Sequence, residues 1–349
     1  MSRKLLLVAG SGRSGTSLFS SIVGNLGLHV PEPWVPTDDS NPRGFGEPQW
    51  VVDNHTALLK RANVHASDAR PNAWSDTAKL CLDEQVNAGF RRWLQSQFSD
   101  HDHILIKDPR LLWFLPLWHQ VGEDLQAEVR VVTMLRHPAE VVGSKLRWYS
   151  NMSLSDANRV AGWINTMLFT ERATREHQRA FVRFDDLLED WTQPIARVSK
   201  QFDIPELVNA RAVAQASADS LVDRSLRRSA ATWEDFDISD GLAEFAERIW
   251  EDLLLAANPD PTELDDTLAR LDRHREEYAS FYRHAEHVAQ STTLAVSRTL
   301  SRNGSQQPLE NVLLSGAQKL IPSELRDRIP LNVKLTLFGY AQKARSWLR

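Results

Sequence analysis

The stretch Lys4-Leu-Leu-Leu-Val-Ala-Gly-Ser-Gly-Arg-Ser-Gly-Thr-Ser17 decides the fold. Its first half, Lys4–Gly10, is a short apolar run rich in leucine and closed by glycine, which suits a buried parallel strand better than a helix of two turns. From Thr16 onward Leu18, Ile22, Val23 and Leu26 recur at helical spacing, and Gly27 stands where that helix would end. Strand, glycine-rich turn and helix open a βαβ unit. In such a turn successive backbone N–H groups and the helix dipole favour an anion.

The residues of the turn narrow the choice of anion. The ATP/GTP loop carries a lysine directly after its second glycine, to reach the β/γ phosphates. Here Gly10 and Gly15 keep that spacing, but Thr16 holds the lysine position and the cation is Arg13, inside the loop. That displacement argues against a kinase and puts the charge beside the bridging region of a phosphosulfate. A dinucleotide reading of Gly10-x-Gly12-x-x-Gly15 is weakened by Arg13 and by a proline-rich stretch where an acidic-ended second strand should come. The plain alternative is an ordinary glycine-rich turn.

Outward from the loop, Val30–Pro48 carries five prolines with Gly44 and Gly46 and must be a loop. Loops of that length in compact domains are usually functional. Helices are predicted over Gln49–Arg61 and Leu82–Phe98, a strand over His103–Lys107, and an apolar helix over Leu111–Val121 that Pro116 should distort. Val129–Leu135 is the clearest strand, and Pro138 opens a helix running to about Trp148. Residues 154–177 read as helix, Ala180–Phe184 as strand and Asp186–Phe202 as helix. The alternation predicts an α/β fold, a P-loop-type central parallel β-sheet flanked by helices. Beyond about residue 240 strand signals vanish, which predicts an α-helical C-terminal extension. The expected division is a domain over 1–240, a helical extension over 241–300 with a partial seam of Leu264, Leu268, Leu271, Tyr278, Tyr282 and Ala285, and a linker and basic amphipathic tail over 301–349.

Composition sets limits. A chain of 349 residues with 42% hydrophobic side chains supports one large α/β domain plus an appendage. A formal charge of -5 gives no global attraction to nucleic acid, so none is expected as partner, and an anion site must come from local basic groups. The single cysteine, Cys81, excludes an internal disulfide framework and a multi-cysteine zinc site, and fits a reducing compartment. The apolar run Leu5–Ala9 is too short for a signal-peptide core or a membrane span, so a cytoplasmic location is expected.

Gly12-Arg13-Ser14-Gly15-Thr16-Ser17 resembles the 5′-phosphosulfate loop of sulfotransferases, where Lys or Arg precedes Ser-Gly-Thr/Ser. Val129–Leu135 followed by Arg136-His-Pro-Ala-Glu-Val-Val-Gly-Ser144 resembles the family's 3′-phosphate element, an arginine at a strand end and a serine eight residues on. Arg136 leaves the strand and Ser144 lies on the next helix, so both can converge on one phosphate. Looser similarity to bacterial sulfotransferases extends through Asn41–Pro48, Ile106–Leu111, Val182–Leu187 and Asp223–Arg228. The resemblance implies 3′-phosphoadenosine 5′-phosphosulfate (PAPS) as co-substrate, its desulfated form PAP as product, and no metal. It assigns donor binding to Gly12, Arg13, Ser14, Gly15, Thr16, Ser17, Arg136 and Ser144, and to Leu226, Arg227 and Arg228 as a late loop closing on the nucleotide. Lys107-Asp108-Pro109 stands where the eukaryotic cytosolic pattern has Lys-Thr-His, so a histidine base is unavailable there.

In-line sulfuryl transfer should resemble phosphoryl transfer, with Arg13 neutralising the leaving phosphate. The acceptor alcohol needs a general base, for which Glu47 is the first candidate and Asp108 and His55 are reserves. Trp34, Phe45, Trp50, Trp113, Phe114 and Trp118 suggest an apolar acceptor pocket, hence a lipid, glycolipid or other hydrophobic alcohol. The basic tail at 319–349 could rest on anionic lipid at the inner face of the membrane or pack on the domain. The 262–300 helix could pack within the monomer or across a homodimer. Two other functions stay open: a P-loop small-molecule kinase needing ATP and magnesium, and a non-catalytic nucleotide-binding scaffold.

Overall fold

In the computed structural model, which describes residues 2–41, 44–149, 154–222 and 230–302, every residue of strand β1 (Lys4–Ala9) is buried. It lies inside a four-stranded parallel sheet ordered β2-β1-β3-β4, with β2 at His103–Lys107, β3 at Glu128–Leu135 and β4 at Arg179–Arg183. Burial on both faces explains why β1 reads as a continuous apolar run. Its side chains alternate between two cores: Leu5, Leu7 and Ala9 join one cluster, Leu6 and Val8 the other.

The strand order positions the site. From β1 the chain passes to β2 on one side, and from β3 it passes to β4 on the other. The loops leaving the adjacent strands β1 and β3 therefore diverge, opening a crevice outside their carboxyl ends where ligands of open α/β sheets bind. Gly10 ends β1 at φ 126°, and a Cβ there would lie 2.8 Å from the Met134 carbonyl oxygen of β3. Only glycine lets the chain turn so close to its neighbour.

Helices α1 (Thr16–Asn25), α2 (Gln49–Ala62), α3 (Ala73–Cys81), α4 (Glu84–Gln97) and α5 (Leu115–Asp124) fall between β1 and β3. The sequence reading missed α3, a nine-residue helix whose inner face sets Thr77 between Ala73 and Trp74 on one side and Leu80 and Cys81 on the other, too short for its apolar period to stand out. The helix expected over Leu111–Val121 is divided just before Pro116: a 3₁₀ turn at Leu111–Phe114 is followed by α5, and Pro116 lies in the first turn of α5, where its missing N–H costs nothing. Helices α6 (Pro138–Tyr149) and α7 (Asp156–Thr174) follow β3. The single helix expected over Asp186–Phe202 is two, α8 (Phe184–Asp190) and α9 (Thr192–Phe202). Pro194 has no N–H for the carbonyl of Asp190, and the Asp190 carboxylate accepts from Thr192 N at 3.0 Å, so the first helix stops there.

Beyond α10 (Glu206–Asn209) and α11 (Ala212–Leu221), α12 (Asp240–Ala257) and α13 (Leu264–Arg302) are helical, as expected. Leu271, Tyr278 and Tyr282 of the seam share a core with Trp163 and Met167 of α7 and with Phe245 and Ile249 of α12. The Tyr278 hydroxyl, placed between the Ala69 and Ala161 carbonyls at 2.5 and 3.0 Å, ties α13 to the loop after α2. Among the described residues no helix is long and apolar enough to cross a membrane.

Candidate active site

The loop Gly10–Ser17 enters α1 through Gly15, which caps the helix in the left-handed region at φ 89° with no side-chain cap. The first-turn N–H groups of an uncapped helix are free to bind an anion. Arg13 is also left-handed, at φ 77°, a conformation of order 1 kcal/mol uphill for a non-glycine residue and concentrated at functional sites.

Strand β3 delivers Arg136 to the same place. Its Nη1 donates to the Arg13 carbonyl at 3.1 Å, its Nε donates to Glu140 Oε2 at 2.9 Å, and its guanidinium stands 4.5 Å from the Phe184 ring centroid. Arg13 Nε donates to Ser144 Oγ at 3.0 Å. The two elements identified in the sequence, 123 residues apart in the case of Arg13 and Arg136, thus meet directly. Phe184 supports both, because a Cβ on Gly15 would lie 2.3 Å from its Cδ2. Gly15→Ala is therefore expected to cost about 2 kcal/mol or more in urea unfolding, from the left-handed φ together with the clash. Phe184→Ala in the same chain should recover part of it.

These groups line a cavity of about 560 Å³ that also takes in Gly12, Thr16, Ser17, Glu47, Lys107 and Lys145. Ser14 is fully buried and does not reach it. Leu226, Arg227, Arg228 and the tail at 319–349 lie outside the described residues. Lys107, buried at the end of β2, donates to Glu47 Oε1 at 2.6 Å, Ser17 Oγ at 3.0 Å and the Phe45 carbonyl at 3.1 Å. Glu47 Oε2 meets Arg110 Nη2 at 3.2 Å. One lysine thus links the carboxylate after the proline-rich loop to the loop Gly10–Ser17.

The reserve bases stand elsewhere. Asp108 and His55 are fully buried and outside the cavity wall. The Trp118 indole N–H donates to His55 Nε2 at 3.0 Å, so the ring proton sits on Nδ1, 2.7 Å from Asp108 Oδ2. The other Asp108 oxygen accepts from Arg110 Nε at 2.8 Å. Burial pushes the Asp108 carboxyl up, but the His55 hydrogen bond and the Arg110 charge outweigh it and hold the group below its ordinary value. This chain of contacts orients Arg110 against Glu47.

The aromatic residues expected to form an acceptor pocket mostly build the core instead. Trp113, Phe114 and Trp118 are buried in the core, Trp50 stacks on Trp93 at 4.5 Å, and Trp34 is half-exposed outside the wall. Of the six aromatic residues named, only Phe45 lines the cavity. The sequence reading also missed cations. Lys107 carried a signal, being the last residue of a strand beside β1, at the carboxyl edge where ligands bind.

Lys145 carried none beyond its place next to Ser144. It is buried, and its Nζ donates to Ser11 Oγ at 3.0 Å and Ser67 Oγ at 3.2 Å. Burial first, and the nearby Arg159 charge second, push its pKa down to about 8. Between pH 8 and 10.5 the folded chain holds fewer protons than the unfolded one, so stability rises with pH there and the full cost applies below 8. Lys145→Met is expected to be more stable than wild type at pH 7 by up to about 3 kcal/mol and to lack that rise, measured by denaturation across pH 6–11.

Among the described residues no group of three or more His, Cys, Asp or Glu side chains could hold a metal ion. No protein-family model and no curated protein matches the chain. Among solved structures it is similar to the sulfotransferase domain from the curacin biosynthetic pathway, at 16% identity and TM-score 0.43, over 72% of this chain and 97% of that one. It is similar also to the sulfotransferase domain from the Synechococcus PCC 7002 olefin synthase, at 16% identity and TM-score 0.39, over 80% of this chain and 96% of that one. At that identity no residue's role passes from those proteins to this one.

Proposed function

We propose that the chain is a sulfotransferase that moves a sulfuryl group from PAPS to an acceptor hydroxyl. The observation that carries the reading is the contact of Arg13 with Ser144 at 3.0 Å and of Arg136 with the Arg13 backbone at 3.1 Å. An anion-binding loop without the nucleotide-kinase lysine shares one cationic cavity with a second arginine–serine element, as a donor with separate 5′ and 3′ anionic groups requires.

PAPS supplies an activated sulfuryl group: the acceptor oxygen forms a bond to sulfur while the bond from sulfur to the bridging oxygen breaks, and its electron pair stays on PAP. The uncapped N-terminus of α1 and the loop amides hold the 5′ end. Arg13 neutralises charge growing on the leaving phosphate. Arg136 and Ser144 hold the 3′-phosphate, with charge-assisted hydrogen bonds of roughly 1.5–3 kcal/mol. Glu47 takes the acceptor proton, oriented by Lys107 and Arg110. Lys107, bonded to Glu47 and Ser17 together, couples the position of the base to that of the loop. Release of PAP from PAPS, with water or a screened alcohol taking the sulfuryl group, tests the reading. Turnover of ATP–magnesium in its place would return the chain to the kinases.

A further inference from the structure

Among the described residues Lys145 has no counter-ion: its partners there are two neutral hydroxyls, and no carboxylate lies within the 4.0 Å that would make an ion pair. The cavity's other lysine, Lys107, is paired with Glu47, Arg110 is paired with Glu47 and Asp108, and Arg136 is paired with Glu140. The nearest acid on the facing loop, Asp68, is taken by a two-oxygen pair with Arg70 and by the His65 and Arg70 backbone N–H groups. A buried ammonium left without an anion is unfavourable, and chains keep such groups where a ligand completes them.

The surroundings say which ligand. Ser67 and His65, which line the cavity with Lys145, belong to the loop after α2 and not to either donor-binding element. Arg159 adds positive charge nearby. The 5′ and 3′ anions of the donor already have Arg13, Arg136, Ser144 and the α1 N-terminus. We propose that Lys145, with Ser67 and His65, binds an anionic group on the acceptor, a carboxylate or phosphate carried by the same molecule as the hydroxyl that is sulfated. This rests on the sulfotransferase reading and replaces the purely hydrophobic alcohol with an acidic one, the apolar part facing Phe45, Val35 and Val52.

The test uses matched probes on the full chain saturated with PAP: benzoate, phenyl phosphate and neutral benzamide, titrated calorimetrically against wild type, Lys145→Met and Ser67→Ala. Wild type is expected to bind one of the two anions at least tenfold more tightly than benzamide, and the order of the two tells a carboxylate acceptor from a phosphorylated one. That preference should vanish in Lys145→Met and weaken at least threefold in Ser67→Ala, with PAP affinity within threefold of wild type in both. No preference in wild type, or a preference that survives both substitutions, overturns the proposal. A tenfold loss of PAP affinity in Lys145→Met also overturns it, making Lys145 a donor contact while leaving the sulfotransferase reading intact. Failure of wild type to bind PAP at all removes that reading, and the proposal with it.

Discussion

Glu47→Gln is expected to lower the rate of sulfuryl transfer by about 10²–10⁴, the usual contribution of a positioned general base. Glutamine keeps the shape, but its one carbonyl oxygen can accept from only one of Lys107 and Arg110, which reach the two Glu47 oxygens at 2.6 and 3.2 Å. Glutamine cannot take a proton. The loss should therefore fall on kcat, with the dissociation constant for PAP nearly unchanged. Release of PAP from PAPS, followed alongside calorimetric PAP binding, separates the two. Turnover retained within a few-fold removes Glu47 from the mechanism. Because Asp108 and His55 are buried and bonded to each other, neither is placed to take over from it.

Replacing Arg13 by Met is expected to cost about 10²–10³ in rate, the magnitude seen when one preorganised donor to a developing oxyanion is removed. The charge on the leaving phosphate grows only as the bond to sulfur breaks, so the loss should appear more in kcat than in PAP affinity. Arg13→Lys should recover part of the rate, since a point charge remains although the Nε contact to Ser144 is gone. A kcat within a few-fold of wild type, with only PAP affinity reduced, would make Arg13 a binding residue and not a catalytic one.

The parts of the fold legible in the sequence are those that local chemistry dictates. Residues Leu5–Ala9 read as a parallel strand because both faces of β1 are covered, and Gly10 and Gly15 could be placed because the backbone at each has positive φ. The strand and helix that carry Arg136 and Ser144 could be read from the sequence because Pro138 opens a helix directly after the strand. The contact of these two residues with Arg13 could not, since it depends on β1 and β3 being sheet neighbours.

What failed to show was tertiary in origin. Helix α3 is nine residues long with Thr77 in the middle of its inner face, so its few apolar positions do not stand out as a period. The tryptophans near α2 and α5 looked like a pocket wall because spacing cannot tell a core face from a cavity face. Lys107 and Lys145 have meaning only through Glu47, Ser17, Ser11 and Ser67, residues 60, 90, 134 and 78 positions away. A cation brought to a cavity by such distant partners leaves at most its place at a strand end in the local sequence, as at Lys107, and at Lys145 not even that.

A cavity that binds a donor with a 3′-phosphate should bind PAP and should need Arg136 to do so. Calorimetric titration of wild type and Arg136→Ala with PAP and with ATP–magnesium tests this most directly. Tight PAP binding, weakened about 10- to 100-fold by the substitution and unmatched by ATP–magnesium, is the predicted result. Preference for ATP–magnesium, or PAP binding indifferent to Arg136, would contradict it.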